Sequence, residues 1–214
     1  MAASRRSSPV FARLYRWVSP LMERAGMTAH RRDLLAGLAG RVVEVGAGNG
    51  LLFAHYPPGV TSVLAIEPEP SLRAAAVLAA VDAPVPVRVS DGTAERIDVP
   101  DGAFDAAVTC LVLCSVADQA SALREIHRVV RPGGELRVLE HVRAATPALR
   151  GVQRACDATV WPAIAGGCHT GRDTAAAVEA AGFSFTRRRQ LDFPGGPIRL
   201  PTSPHVIGVA RRNR

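Results

Sequence analysis

Three glycines and two acids are the residues of this chain whose types and spacing could do chemistry. Gly46, Gly48 and Gly50 follow directly on the apolar run Val42-Val43-Glu44-Val45, and Glu67 closes the next apolar run, Ser62-Val63-Leu64-Ala65-Ile66. Glycine has no Cβ, so such a loop can turn sharply and let a ligand approach backbone closely. A carboxylate ending the second strand can accept both hydroxyls of a ribose, with the ligand lying across the carboxyl ends of the strands. The spacing is G-x-G-x-G, with Leu51 where the third glycine of the dinucleotide pattern G-x-G-x-x-G would stand. Glu44, two residues before the loop, puts negative charge where a pyrophosphate needs positive potential, and suits an ammonium or sulfonium instead. A tight strand-to-helix turn without a ligand is the plainer alternative.

The four cysteines, Cys110, Cys114, Cys156 and Cys168, include no C-x-x-C pair. Zinc sites commonly pair ligands at such short spacing, so the pattern predicts free thiols, several buried, and no metal.

The elements that must position these residues fit one domain of 214 residues, 48% of them apolar, with a substantial core. We divide it into a helical lid (1–39), a cofactor-binding half (40–142) and a half carrying the substrate pocket and C-terminal hairpin (143–214). No apolar run approaches the roughly 18 residues of a membrane span. The N-terminus, Met1-Ala2-Ala3-Ser4-Arg5-Arg6, lacks the apolar segment of a signal peptide, so a cytoplasmic protein is expected. The net charge is +7, and all 26 basic residues are arginine. They are scattered in short clusters such as Arg31-Arg32 and Arg187-Arg188-Arg189, and aromatics are only 5%, too few for base stacking, so a solvated basic surface is favoured over nucleic-acid binding.

Periodicity predicts helices within 9–39, where Ser19-Pro20 has the form of a helix start, Gly26 of a stop, and Thr28 of a third helix's cap. From residue 41 strands alternate with helices. Strands are expected near 41–45, 61–66, 85–90, 104–110, 135–140, 184–192 and 205–210, and helices near 50–55, 70–81, 118–130, 147–160 and 171–181. Asp118 reads as an N-cap, Thr170-Gly171-Arg172-Asp173 as a capping box, and Gly182 as a helix stop. The alternation implies an α/β fold, a doubly wound, mostly parallel seven-stranded sheet. Its last two strands, joined without a helix, should form an antiparallel hairpin.

With these segments in hand, the chain resembles the class I S-adenosylmethionine-dependent methyltransferases over residues 40–210. The resemblance is carried by the glycine loop and by Gly92-Thr93-Ala94-Glu95, Asp101-Gly102-Ala103-Phe104-Asp105 and Arg131-Pro132-Gly133-Gly134. Within that family it is most similar to the alkyl-thiol S-methyltransferases, through Tyr56-Pro57-Pro58-Gly59, Leu111-Val112-Leu113-Cys114-Ser115-Val116, Glu140-His141-Val142, Gly167-Cys168 and Pro204-His205-Val206. Its animal relatives are membrane-associated; here Arg13, Arg16 and Arg24 argue against insertion of the N-terminal helices and leave room only for weak surface association.

The resemblance implies S-adenosylmethionine as cofactor, S-adenosylhomocysteine as product and a small-molecule acceptor. Gly46, Ala47 and Gly48 would approach the methionine end and ribose, Glu44 would help hold the ammonium through water or neighbouring amides, and Glu67 would bind the ribose. Pro68 and Leu72 would pack on the adenine, and the Ala94 amide would bond its ring. Thr93 stands where the family usually carries an aspartate for the adenine amino group, so Thr93 or Asp91 makes that contact, or neither does. Cys110 and Leu111 would meet the methionine moiety with their carbonyls.

Methyl transfer is an in-line displacement in which a protein supplies alignment and a dry site. A thiol acceptor needs little more than deprotonation, which a neutral imidazole can provide. His141 is the candidate base. Tyr15, Cys114, His169 and His205 are assigned to the substrate pocket, with His205 read mainly as structural and Cys114 as lining rather than nucleophile. Thiol S-methylation leads. An O- or N-methyltransferase of a natural product or lipid head group, or a non-catalytic cofactor-binding partner protein, are the alternatives.

Overall fold

The computed structural model describes residues 9–196 and 199–213. Seven strands, β1 (Gly40–Val45), β2 (Val60–Ile66), β3 (Val87–Ser90), β4 (Phe104–Cys110), β5 (Val130–His141), β6 (Phe183–Asp192) and β7 (Pro204–Arg212), form one sheet in the order β3-β2-β1-β4-β5-β7-β6. Neighbours from β3 through β5 pair parallel, whereas β7 runs antiparallel to both β5 and β6. The expected terminal hairpin is present. The helices are α1 (Pro9–Met22), α2 (Thr28–Leu35), α3 (Pro70–Val81), α4 (Gln119–Val129), α5 (Pro147–Asp157), α6 (Trp161–Ile164) and α7 (Thr174–Ala180).

Strands covered on both faces read as nearly continuous apolar runs, and successive side chains enter opposite layers. Val42 joins Leu34, Leu35 and Val63 in the core under α2 and α3. Val43 joins Leu123, Ile126 and Leu136 in the core under α4 and α7. Two helix starts follow their local sequence. Asp118 accepts from the Ser121 amide at 3.0 Å ahead of α4, and Glu69 accepts from the Leu72 amide at 2.7 Å ahead of Pro70 in α3.

Other local signals are overridden by tertiary partners. Ser19-Pro20 starts no helix: α1 runs through Pro20, because Ser19 is fully buried and its hydroxyl accepts from the Asn49 side chain. The chain breaks instead in a π-helical turn, Glu23–Met27, where Gly26 sits at φ 107°. Thr28 opens α2 without capping it, since its hydroxyl donates to Glu23 at 2.6 Å. Thr170 likewise gives its hydroxyl and amide to Asp157, so no capping box forms and Asp173 alone caps a helix beginning at Thr174. The expected helix at 147–160 ends at Asp157, and in place of one at 50–55 there is only the 3₁₀ turn Phe53–His55.

After β1 the chain winds outward to β2 and β3, then returns at β4 on the other side of β1. That reversal opens a crevice at the carboxyl ends of β1 and β4, the place where open α/β sheets bind ligands. α1 presents Val10, Leu14, Trp17 and Leu21 to solvent along one side. Among the described residues no helix is long and apolar enough to cross a membrane. Met1 to Ser8, which include the segment read for a signal peptide, lie outside the described residues, as do Pro197 and Ile198 of the 193–204 loop and Arg214.

Candidate active site

The glycine loop occupies the crevice. Gly46 and Ala47 both donate to the Ile66 carbonyl, at 2.8 and 3.0 Å, which ties the end of β1 to that of β2. Gly46 adopts φ +71°, and a Cβ there would fall 2.5 Å from a Val112 methyl. Gly48 adopts φ +58° and lies beneath the Tyr15 ring, 3.4 Å from where its Cβ would be. Both positions therefore demand glycine. Because no α-helix follows the loop, a pyrophosphate would find no helix N-terminus here.

Glu67 is 5% exposed at the end of β2. Its two oxygens accept from the Gly48 amide at 2.7 Å and the Glu69 amide at 2.9 Å, fixing the carboxylate against the loop. Burial raises its pKa, and these two amides oppose the rise. Leu72 is buried beside it, Pro68 is partly covered, and Ala94 is buried. Asp91 is exposed and paired with Arg73 at 3.1 Å, while Thr93 forms an isolated bridge with Arg96.

Glu44 shares the face of Val42 and is 2% exposed. The Tyr56 hydroxyl donates to it at 2.7 Å, so its held partner is a phenol rather than an amide. Burial pushes its pKa up to about 7, against the pull of the Tyr56 bond and the positive charge of Arg31. Arg31 is a residue that sequence reading missed. Taken as half of a solvated Arg31-Arg32 cluster, it is 3% exposed, donates to Glu23 at 2.9 Å and reaches Cys110 Sγ at 3.2 Å. Its spacing from Leu34 and Leu35 on the buried side of α2, and from Met27 just before that helix, is the signal that could have found it. Burial also pushes the Cys110 thiol up to about 12, despite Arg31.

Beyond β4 the backbone is strained. Leu111 adopts φ 62° without being glycine, a cost of about 1–3 kcal/mol that tends to be retained at functional sites. Glu140, fully buried, holds the segment by accepting from the amides of Val112 at 3.1 Å and Cys114 at 3.3 Å. This second missed residue is spent on backbone.

His141 ends β5 opposite His205 of β7, with ring centroids 4.5 Å apart. His205 is buried and donates from Nδ1 to the Ser203 carbonyl at 2.7 Å, in keeping with a structural reading. His169 donates from Nδ1 to the Gly167 carbonyl at 2.8 Å, and its amide donates to the Cys114 carbonyl at 2.8 Å. The fold also brings Cys114 and Cys168 together beside His141. Their sulfurs are 3.9 Å apart, and His141 Nδ1 is 3.5 Å from Cys168 Sγ.

Comparisons with known proteins place the fold in a family. Residues 43–138 match the model of the methyltransferase domain. The chain is 34% identical over 196 residues to the thiol S-methyltransferase TMT1B of Mus musculus, covering 86% of this chain and 79% of that protein. It is 28% identical over 165 residues to the ubiquinone/menaquinone biosynthesis C-methyltransferase UbiE of Syntrophotalea carbinolica, covering 75% and 69%. The solved structure of a SAM-dependent methyltransferase from Thermotoga maritima superposes with a TM-score of 0.69 at 22% identity, over 95% of this chain and 99% of that one. The glycine loop with its fixed strand-end acid fits a nucleoside cofactor, and a third of residues shared across most of both chains carries the relationship past fold alone. This chain belongs to the class I S-adenosylmethionine-dependent methyltransferases, and S-adenosylmethionine is its methyl donor.

Proposed function

We propose that the protein S-methylates a small, largely apolar thiol. The observation that carries this reading is the placement of His141 beside two buried cysteine sulfurs after the carboxyl ends of β4 and β5, while the adjacent carboxylate, Glu140, is spent on backbone amides. A site lined by sulfur and imidazole matches a soft acceptor of low basicity, whereas an alcohol requires a stronger base. The 34% likeness to a thiol S-methyltransferase supports the same acceptor class.

The cofactor supplies a methyl group already activated on a sulfonium sulfur. Glu67 is assigned to the ribose hydroxyls, Gly46, Ala47 and Gly48 to close backbone contact, and Glu44 to the ammonium. Pro68 and Leu72 pack on the adenine, with the Ala94 amide at its ring. Asp91 is committed to Arg73, so we assign the adenine's remaining polar contact to Thr93. The carbonyls of Cys110 and Leu111 face the methionine end. Residues 1–39 act as a lid, with Tyr15 covering Gly48 and excluding water, while 40–142 hold the cofactor and 143–214 shape the acceptor pocket. His141 is the group assigned to ionising the acceptor. His141 would take the proton of the acceptor thiol, and the thiolate would then receive the methyl group that the bound cofactor supplies.

The role of Glu44 has a pH signature. With its pKa near 7 in the free protein, the carboxyl is largely protonated at pH 6, and an ammonium binds best to its ionised form. Binding should therefore expel a proton, and affinity for S-adenosylmethionine should rise about five-fold from pH 6 to pH 7, below the pKa of about 7.7–8.0 at which an α-amino group discharges. Calorimetry in buffers of different ionisation heat checks both. A flat affinity with no proton release would remove Glu44 from the ammonium.

The acceptor class is tested by S-adenosylhomocysteine release with alkyl and aryl thiols, each paired with its alcohol analogue. Turnover with thiols alone is the expected result. Turnover with the alcohols would transfer the reading to O-methylation, and none with either set, despite cofactor binding, would leave a cofactor-binding partner without catalysis.

A further inference from the structure

The same three side chains meet the requirements of a metal site. Each offers one ligand atom, and these atoms lie within 4.8 Å of one another. With Zn–S near 2.3 Å and Zn–N near 2.05 Å, a tetrahedral ion sets two sulfurs about 3.8 Å apart and sulfur and nitrogen about 3.6 Å apart. The observed separations are 3.9 Å for Cys114 Sγ to Cys168 Sγ and 3.5 Å for Cys168 Sγ to His141 Nδ1.

The ligands come from three separate segments, each held by backbone. Cys114 follows β4, its amide bonded to buried Glu140. His141 is fixed by its place in the β5–β7 ladder. Cys168 follows Gly167, whose φ is +90° and where a Cβ would fall 2.5 Å from the Ser115 carbonyl oxygen, so that loop is locked against the Cys114 segment. His169 adds a second tie through its amide to the Cys114 carbonyl. Such fixed ligands lose little entropy when a cation binds. His205 lies beside His141 with the two rings tilted at 52°. Its Nδ1 donates to Ser203, which leaves Nε2 as a bare acceptor, and this buried nitrogen has no hydrogen-bond partner.

We propose that Cys114, His141 and Cys168 form a site for a divalent cation of the zinc type, whose fourth position takes the sulfur of the thiol acceptor. Two thiolates and one imidazole neutralise the dication, and three protein ligands with one open position is the pattern of catalytic rather than structural zinc. On binding, the acceptor's S–H bond breaks, a sulfur–metal bond forms, and the proton leaves to solvent. The thioether product is a weaker ligand than the thiolate and departs. The fourth-position role rests on the thiol reading above; the cation site itself does not.

The test titrates the reduced full-length protein with Co²⁺, whose thiolate charge-transfer absorption reports sulfur ligation. Wild type should take up about one equivalent. Cys114→Ser and Cys168→Ser should each lose the absorption, and Cys156→Ser should keep it. S-adenosylmethionine affinity of each variant checks that it has folded. Independently of any variant, Zn²⁺ should slow alkylation of Cys114 and Cys168 in wild type, but not of Cys156. An alkyl thiol should intensify the Co²⁺ spectrum while its alcohol analogue does not. No uptake by the reduced protein, uptake indifferent to both cysteines, or no protection from alkylation would overturn the site. An unchanged spectrum with thiol, or full thiol turnover by protein stripped below about 0.1 equivalent of metal, would overturn the fourth-position role. A thiol-responsive Co²⁺ spectrum without any methylated thiol would instead leave the site standing and sink the proposed function.

Discussion

Glu67→Ala should weaken S-adenosylmethionine binding by about 100- to 1000-fold, the largest loss expected from any single change in the cofactor half. A carboxylate accepting from two ribose hydroxyls makes two charge-assisted bonds, each worth about 1.5–3 kcal/mol when the partners are otherwise left unpaired. The same carboxylate also receives the amides of Gly48 and Glu69, so its removal frees the loop that must approach the ligand. Both effects act in the same direction. Glu67→Gln separates them, since the amide oxygen can still accept from one backbone N–H while the charge is gone, and its loss should be intermediate. Equilibrium binding of S-adenosylmethionine measures all three proteins. Affinity within about three-fold of wild type in a folded Glu67→Ala protein would show that the ribose is held elsewhere.

What the sequence disclosed, and what it withheld, follows the range of the interactions concerned. The succession of strands and helices along the chain, the terminal hairpin, the span of α3 and the caps at Asp118 and Gly182 depend on periodicity or on neighbours a few residues away, and they were legible. The loop glycines were legible for the same reason, because a positive φ is a local demand. Thr28 and Thr170 look like helix caps, yet each found a better acceptor in Glu23 and Asp157, five and thirteen residues away. Arg31 reads as surface charge until α2 packs and places it beside Cys110, and Ser19 reads as a helix start until Asn49 reaches it. The cysteines withheld most. A search for ligands at short spacing sees Cys114, His141 and Cys168 as unrelated, because only the parallel winding of β4 and β5 and the return of the 166–168 loop bring them within reach.

His141→Ala should lower turnover of an alkyl thiol by about 10²- to 10⁴-fold, the range for loss of a positioned proton acceptor, while S-adenosylmethionine affinity stays within about two-fold. The size of the loss should depend on the acceptor. An alkyl thiol is a weaker acid than a cysteine side chain, whose pKa is about 8.5, so at pH 7 very little of it is ionised and it needs help to reach its reactive form. An aryl thiol, more acidic, is ionised already and should lose far less. For the alkyl thiol the variant's rate should climb about ten-fold per pH unit until the thiol's own pKa is reached, whereas wild type should be flatter over that interval. Whether the proton is drawn off by the imidazole or by a cation that the imidazole helps to hold, acidity at the acceptor sulfur is what the substitution removes, so the acceptor dependence is common to both. A merely structural His141 would instead depress alkyl and aryl thiols alike, with no new slope in the pH profile. Equal losses for the two acceptor types, measured as single-turnover rates at saturating cofactor, would therefore take His141 out of the chemistry and return it to the β5–β7 packing with His205.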